Sequence, residues 1–283
     1  MVTYRWLPVG EHNVFYREAG DPGKPTLLLL HGFPTSSFMF RNLIPLLSER
    51  FHLIAPDLPG FGLTQSPSRD RFAYTFEGLT DVIENFVQTL GLERFSVYVF
   101  DYGAPVGLRL ALRNPKRITG IVSQNGNAYE EGLSDGWAPI RRFWAENDEE
   151  SRNIIRGYYG LDGIRFQYVH GVPDPSIVSP DGYQFDTLML AREGSHEIQL
   201  DLIYDYASNI SLYPQFQKFI REHRPAVLAA WGKNDPFFLP SGAEGFKRDQ
   251  PDAAVHFFDT GHFALETHAA EIASLIISHF KAV

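Results

Sequence analysis

Strands alternating with helices at both ends of this chain predict an α/β fold, a mostly parallel sheet covered by helices on both faces. Three observations carry that expectation. Short continuous apolar runs such as Thr26–Leu30 read as strands buried on both sides. Residues 95–114 read as a strand, Phe-Ser-Val-Tyr-Val-Phe, turning sharply at Asp101 into a helix opened by Pro105. From Asn125 to about Phe219 the alternation stops, and helical patterns and Gly/Pro-rich loops take its place.

In chain order, residues 13–19 alternate as a strand and Gly20-Asp21-Pro22-Gly23 supplies a turn. The Thr26–Leu30 strand runs into His31-Gly32-Phe33-Pro34-Thr35-Ser36, and a helical pattern follows through Phe40, Leu43, Ile44 and Leu47. Residues 52–55 form another buried strand, ending in the turn-rich Pro56-Asp57-Leu58-Pro59-Gly60-Phe61-Gly62. Residues 74–92 are amphipathic, with Leu79, Val82, Ile83, Phe86, Val87 and Leu90 on one face. After the strand–helix pair around Asp101 comes a strand over 117–124. Within the insertion, 138–158 reads as one helix and 198–213 as a second that ends before Pro214. Alternation resumes with a strand over 225–231, a helix over 241–247, a strand over Ala254–Phe258 and a closing amphipathic helix over 264–280.

Composition narrows the function. A length of 283 residues suits one α/β domain with an insertion, and 44% hydrophobic residues provide for a sizeable core. A net charge of −9 without a basic cluster argues against nucleic acid and anionic membranes as partners. No cysteine is present, which excludes thiolate nucleophiles, disulfides and Cys-ligated metals. The N-terminus lacks the apolar core of a signal peptide and no apolar run reaches transmembrane length, so a soluble cytoplasmic protein is expected. No pattern encodes the oligomeric state, and a homodimer is compatible with all of them.

In open α/β sheets, ligands bind at the carboxyl ends of the strands. Four polar segments leave those ends here: residues 31–36, Asp101-Tyr102, Asp235 and Gly261-His262. Taken alone, Asp101 is equally an ordinary helix N-cap and Asp235 before Pro236 equally turn chemistry. Together their chain order, nucleophile–acid–histidine, is that of the α/β-hydrolases. The chain resembles that superfamily: His31-Gly32-Phe33-Pro34 its oxyanion-hole loop, residues 57–62 the loop after it, and Trp231-Gly-Lys-Asn-Asp235 and Gly261-His262 its acid and base positions. Asp101-Tyr102-Gly103 resembles the aspartate-nucleophile branch, which contains epoxide hydrolases and haloalkane dehalogenases. One departure is Val99, where the elbow usually has a small residue.

The resemblance implies an α/β-hydrolase core over 1–127 and 216–283, with a mainly helical cap over 128–215 inserted after the sixth strand. It implies Asp101 as covalent nucleophile, His262 as base on the hydrolytic water and Asp235 as its orienting acid. The backbone N–H groups of Phe33 and Tyr102 would form the oxyanion hole, and His31, Gly32 and Pro34 would be structural. No cofactor or metal is implied. A carboxylate can attack an electrophilic sp³ carbon to give an alkyl ester, which activated water then hydrolyses. The substrate is accordingly a small hydrophobic epoxide or haloalkane, with water as co-substrate.

The leaving group separates the two branches. Epoxide hydrolases protonate the alkoxide with lid tyrosines; order along the insertion selects Tyr168 and Tyr206 among its eight. Dehalogenases hold halide with indole N–H donors, one directly after the nucleophile, where this chain has Tyr102, and many carry a polar residue where it has Phe33. Both differences favour epoxide opening, while Pro34-Thr35-Ser36, Trp137 and Trp144 keep the dehalogenase alternative open. Gly132-Leu-Ser134-Asp-Gly136 matches the serine-esterase motif but lacks a preceding apolar strand. A non-catalytic ligand-binding member of the fold is the remaining alternative.

Overall fold

The structure is a computed structural model that describes residues 1–280; the last three residues of the 216–283 segment lie outside it. Eight strands form one sheet: β1 (Val2–Val9), β2 (His12–Ala19), β3 (Thr26–Leu30), β4 (His52–Pro56), β5 (Phe95–Phe100), β6 (Ile118–Gln124), β7 (Ala226–Gly232) and β8 (Ala254–Phe258). Their order is β1-β2-β4-β3-β5-β6-β7-β8. β1 pairs antiparallel with β2 and β2 antiparallel with β4, and every later pair is parallel.

The central strands explain why their sequences are continuously apolar. Leu28 and Leu30 of β3 enter one hydrophobic cluster with Val97 and Val99 of β5. Leu27 and Leu29 enter the opposite one with Tyr98 and Phe100. Successive side chains leave opposite faces, so a strand covered on both sides needs apolar residues at every position. β1 was not expected from the sequence. It is an edge strand with Tyr4 and Trp6 exposed, and it lacks the buried face that periodicity detects.

Helices α1 (Leu43–Leu47), α2 (Phe76–Thr89) and α3 (Gly103–Arg113) connect the first six strands. Between β6 and β7 lie α4 (Ala138–Glu146), α5 (Glu149–Arg156), α6 (Leu161–Val169), α7 (Pro180–Leu190), α8 (Ser195–Asp205) and α9 (Ala207–His223); α10 (Pro240–Asp249) and α11 (Leu265–His279) complete the chain.

The single helix expected over 138–158 is two. Asn147 ends α4 in a left-handed conformation at φ 45°, and Asp148 caps α5 by accepting from the Ser151 N–H at 2.8 Å. Nor does a helix end before Pro214: the break falls at Tyr206, and α9 runs through Pro214, carrying the insertion's last helix across 215 into the returning core. α6 and α7 were not read at all. The buried positions of α6 are Ile164, Gln167 and Tyr168, so polar-bearing residues occupy much of its inner face and blur the apolar period. Among the described residues no helix is long and apolar enough to cross a membrane.

Candidate active site

The parallel strands bring the predicted segments to one edge of the sheet. β5 ends at Phe100, and Asp101 follows at φ 47°, in the left-handed region a non-glycine residue seldom adopts. α3 starts two residues later. The turn can be this tight because glycines surround it. A Cβ on Gly103 would lie 2.2 Å from the Leu30 carbonyl oxygen, and one on Gly32 would lie 2.4 Å from Asp101 itself. The unusual Val99 is also accommodated: its Cγ1 occupies the space where Gly107 of α3 lacks a side chain, at 2.6 Å from an imagined Cβ.

Asp101 is 7% exposed. Its Oδ1 accepts the Phe33 N–H at 2.6 Å. Burial pushes its pKa up to about 6, against the opposing pull of His262 and of the N–H groups of Phe33 and Tyr102. Its Oδ2 lies 4.0 Å from His262 Nε2. His262 Nδ1–H donates to Asp235 Oδ2 at 2.7 Å. Burial alone would lower the His262 pKa, but the charge and hydrogen bond of Asp235, with Asp101 beyond, raise it. Asp235 accepts twice more, from the Phe237 N–H on Oδ1 and from Asn125 Nδ2 on Oδ2, both at 2.7 Å.

Sequence reasoning missed Asn125, which stands at φ 46° immediately after β6, at a strand end where site residues were to be expected. Its Oδ1 also accepts the Gly232 N–H at 2.9 Å, tying the end of β6 to the turn that carries Asp235. Neighbouring Gln124 donates to the His262 carbonyl at 3.1 Å. His31 sits beneath the site with Nδ1–H donating to the Gly32 carbonyl and Nε2 accepting the Leu58 N–H. Both ring nitrogens are used, and burial lowers its pKa. Pro34 follows Phe33 in the same loop.

A cavity of ≈ 320 Å³ opens over Asp101, floored by Phe33 and Tyr102 and walled by residues of the insertion, among them Trp137, Tyr159 and Gln167. Among the described residues no cationic side chain lines it. Neither tyrosine selected from the sequence does either. Tyr168 stacks on Phe263 with ring centres 3.8 Å apart, and its hydroxyl donates to the buried Asp186 at 2.5 Å. Tyr206 packs against Tyr102 and Trp137, and its hydroxyl meets that of Tyr213 at 3.4 Å. The phenols that do line the cavity are Tyr102, Tyr158 and Tyr159. The Tyr159 ring lies 5.4 Å from that of Phe33, and burial raises the pKa of Tyr159 and Tyr102, keeping both protonated. Order along the chain could not separate Tyr159 from Tyr158, which is 44% exposed. Ser134 is bound elsewhere: it donates to the Pro236 carbonyl and accepts from the Gly136 N–H.

Comparison with known proteins identifies the family and the fold. A family model described as the alpha/beta hydrolase fold matches residues 25–157. An uncharacterized hydrolase of Saccharomyces cerevisiae is 51% identical over 271 residues, covering 94% of this chain and 93% of that protein. Haloalkane dehalogenase 2 of Mycobacterium tuberculosis is 37% identical over 121 residues, which covers 43% of this chain and 41% of that protein. The solved epoxide hydrolase CorEH superposes with a TM-score of 0.80 over 99% of both chains at 20% identity, a likeness of fold.

Proposed function

The chain belongs to the α/β-hydrolase family, and from that premise we propose that this hydrolase opens epoxides to vicinal diols through an ester on Asp101. One observation carries the choice of leaving group. The indole N–H groups of the insertion are already engaged: cavity-lining Trp137 donates to the Phe237 carbonyl at 3.0 Å and Trp144 to the Ile203 carbonyl at 2.7 Å. The hydroxyls of Tyr102 and Tyr159, by contrast, have no hydrogen-bond partner among the described residues and face the same space as Asp101. Halide is a weak base that N–H donors can hold, whereas an alkoxide needs a proton. A cavity with free phenols and engaged indoles suits the alkoxide. Tyr159 and Tyr102 take the part that sequence order assigned to Tyr168 and Tyr206.

The steps follow from the geometry. Asp101 Oδ1 is held by the Phe33 N–H, leaving Oδ2 to attack a ring carbon. The C–O bond breaks as the phenol delivers its proton to the departing oxygen. Water then attacks the ester carbon while His262 Nε2 takes its proton, and Asp235 stabilises the imidazolium. The oxyanion collects on Oδ1, where the Phe33 and Tyr102 N–H groups await it. Collapse expels the diol oxygen, which takes the proton from His262, and the proton of the new Asp101 carboxyl returns to the phenolate, restoring the carboxylate, the neutral imidazole and the phenol. The helices between β6 and β7 act as the cap that keeps bulk water from the ester.

The dehalogenase relative favours a second reading with the same Asp101, His262 and Asp235. Parallel assays of styrene oxide and 1-bromobutane separate the two. Diol formation without bromide release is expected, and His262→Gln should accumulate an alkyl-enzyme visible by mass spectrometry. Bromide release without diol would transfer the protein to the dehalogenases.

A further inference from the structure

Gln167 on α6 is 6% exposed and lines the cavity, yet its carboxamide has no hydrogen-bond partner among the described residues. Amides in folded proteins are nearly always paired with protein or water, and that of Gln167 is open to the cavity, where only solvent or a ligand can pair it. The next residue, Tyr168, shows the ordinary arrangement, its hydroxyl tied to Asp186. Apart from Asp101 and the tyrosine hydroxyls, the rest of the cavity wall is hydrocarbon and aromatic, including Ile155, Phe166, Ile203 and Phe237.

A ligand that fills such a cavity removes solvent from the amide. A purely hydrocarbon epoxide would leave its C=O and NH₂ unpaired, which is unfavourable. An epoxide bearing a hydroxyl or carbonyl would pair them. An anionic group fits less well, because no cation among the described residues lines the cavity and Asp101 repels anions.

Resting on the epoxide reading above, we infer that Gln167 is a specificity-determining residue that selects epoxides carrying an uncharged hydrogen-bonding group separate from the oxirane. Sites built around a polar contact reject analogues that lack it far more strongly than apolar walls reject an extra methylene. For one neutral amide contact the expected discrimination is about 10–100-fold in kcat/KM.

The test compares trans-3-phenylglycidol with trans-β-methylstyrene oxide, which differ by one hydroxyl, in the wild type, Gln167→Leu and the unbranched Gln167→Met. Both variants should lower kcat/KM for the glycidol by about 10–100-fold and leave the hydrocarbon epoxide unchanged or improved. A binding arm needs no turnover: 3-phenyl-1-propanol and propylbenzene are titrated against the change in intrinsic tryptophan fluorescence, to which Trp137 in the cavity wall contributes. The alcohol's advantage should vanish in both variants. If both epoxides slow equally, or if the alcohol's advantage survives in the variants, the inference is wrong although epoxide hydrolysis stands. If neither epoxide turns over while the Gln167-dependent preference for the alcohol persists, the proposed reaction falls and the role of Gln167 remains.

Discussion

Asp101 is held in its site at the expense of stability, and Asp101→Asn should release that strain. Burial raises its pKa from 3.8 to about 6. An acid with a raised folded-state pKa binds its proton more tightly folded than unfolded, so folding stability falls as pH rises through that interval. Above pH 7 both states are ionised and the full penalty applies. Below pH 4 both are protonated and it disappears. A shift of this size corresponds to about 3 kcal/mol. Asparagine keeps an oxygen for the Phe33 N–H and carries no charge. For a chain of this length that energy is worth about 5 °C in Tm. Thermal unfolding of both proteins from pH 4 to pH 8 tests the argument. The variant should melt higher at pH 8, with the difference shrinking toward zero at pH 4. A variant that melts at or below the wild type at pH 8 would refute the claim that ionised Asp101 is destabilised by burial.

The same ionisation governs the first chemical step, so single-turnover alkylation should fall on the acid side with a midpoint near pH 6, following the Asp101 pKa of about 6; a flat profile from pH 5 to pH 8 would contradict it. Tyr159→Phe should slow alkylation by about 100-fold or more and leave ester hydrolysis intact, as rapid-quench kinetics can resolve. Tyr168→Phe should leave alkylation within about twofold, while losing about 1–3 kcal/mol in urea unfolding because it strips the buried Asp186 of its donor. Asn125→Gly permits the left-handed backbone but deletes the contacts to Asp235 and Gly232; it should slow ester hydrolysis about tenfold and alkylation much less. Equal loss in both steps would assign Asn125 to the fold instead.

What was legible in the sequence divides along a physical line. Residues at the ends of parallel strands are fixed by the sheet: once β3, β5, β7 and the edge strand β8 are read, Phe33, Asp101, Asp235 and His262 must converge on one edge. The apolar signal is strong and continuous in β3, β5 and β7 because both faces of those strands are buried. It is silent for β1, which pairs along its whole length with β2 and still leaves Tyr4 and Trp6 exposed. Asn125 shows how a residue at a legible strand end can still be missed. Its neighbours marked the start of the insertion, and an amide that supports an acid through hydrogen bonds leaves no pattern of its own.

The insertion is harder for a further reason: a helix offers its residues to several surfaces at once. On α6, adjacent Gln167 and Tyr168 have opposite fates, one facing the cavity and the other stacked on Phe263 beside His262. Successive helical residues diverge by about 100°, so a one-residue uncertainty in register exchanges a cavity-lining group for a structural one. Tyr168 was selected by its place along the chain, but that place says nothing about rotation about the helix axis. The rotation is set by contacts distant in sequence, chiefly Asp186 and Phe263, which Tyr168 satisfies as a buried phenol. With Tyr168 engaged there, the cavity takes its free phenol from Tyr159, before α6 begins, and its amide from Gln167. The proposed proton donor, Tyr159, thus precedes α6, and the proposed specificity residue, Gln167, lies in its last turn. Small changes in how α6 packs on the core would move both together.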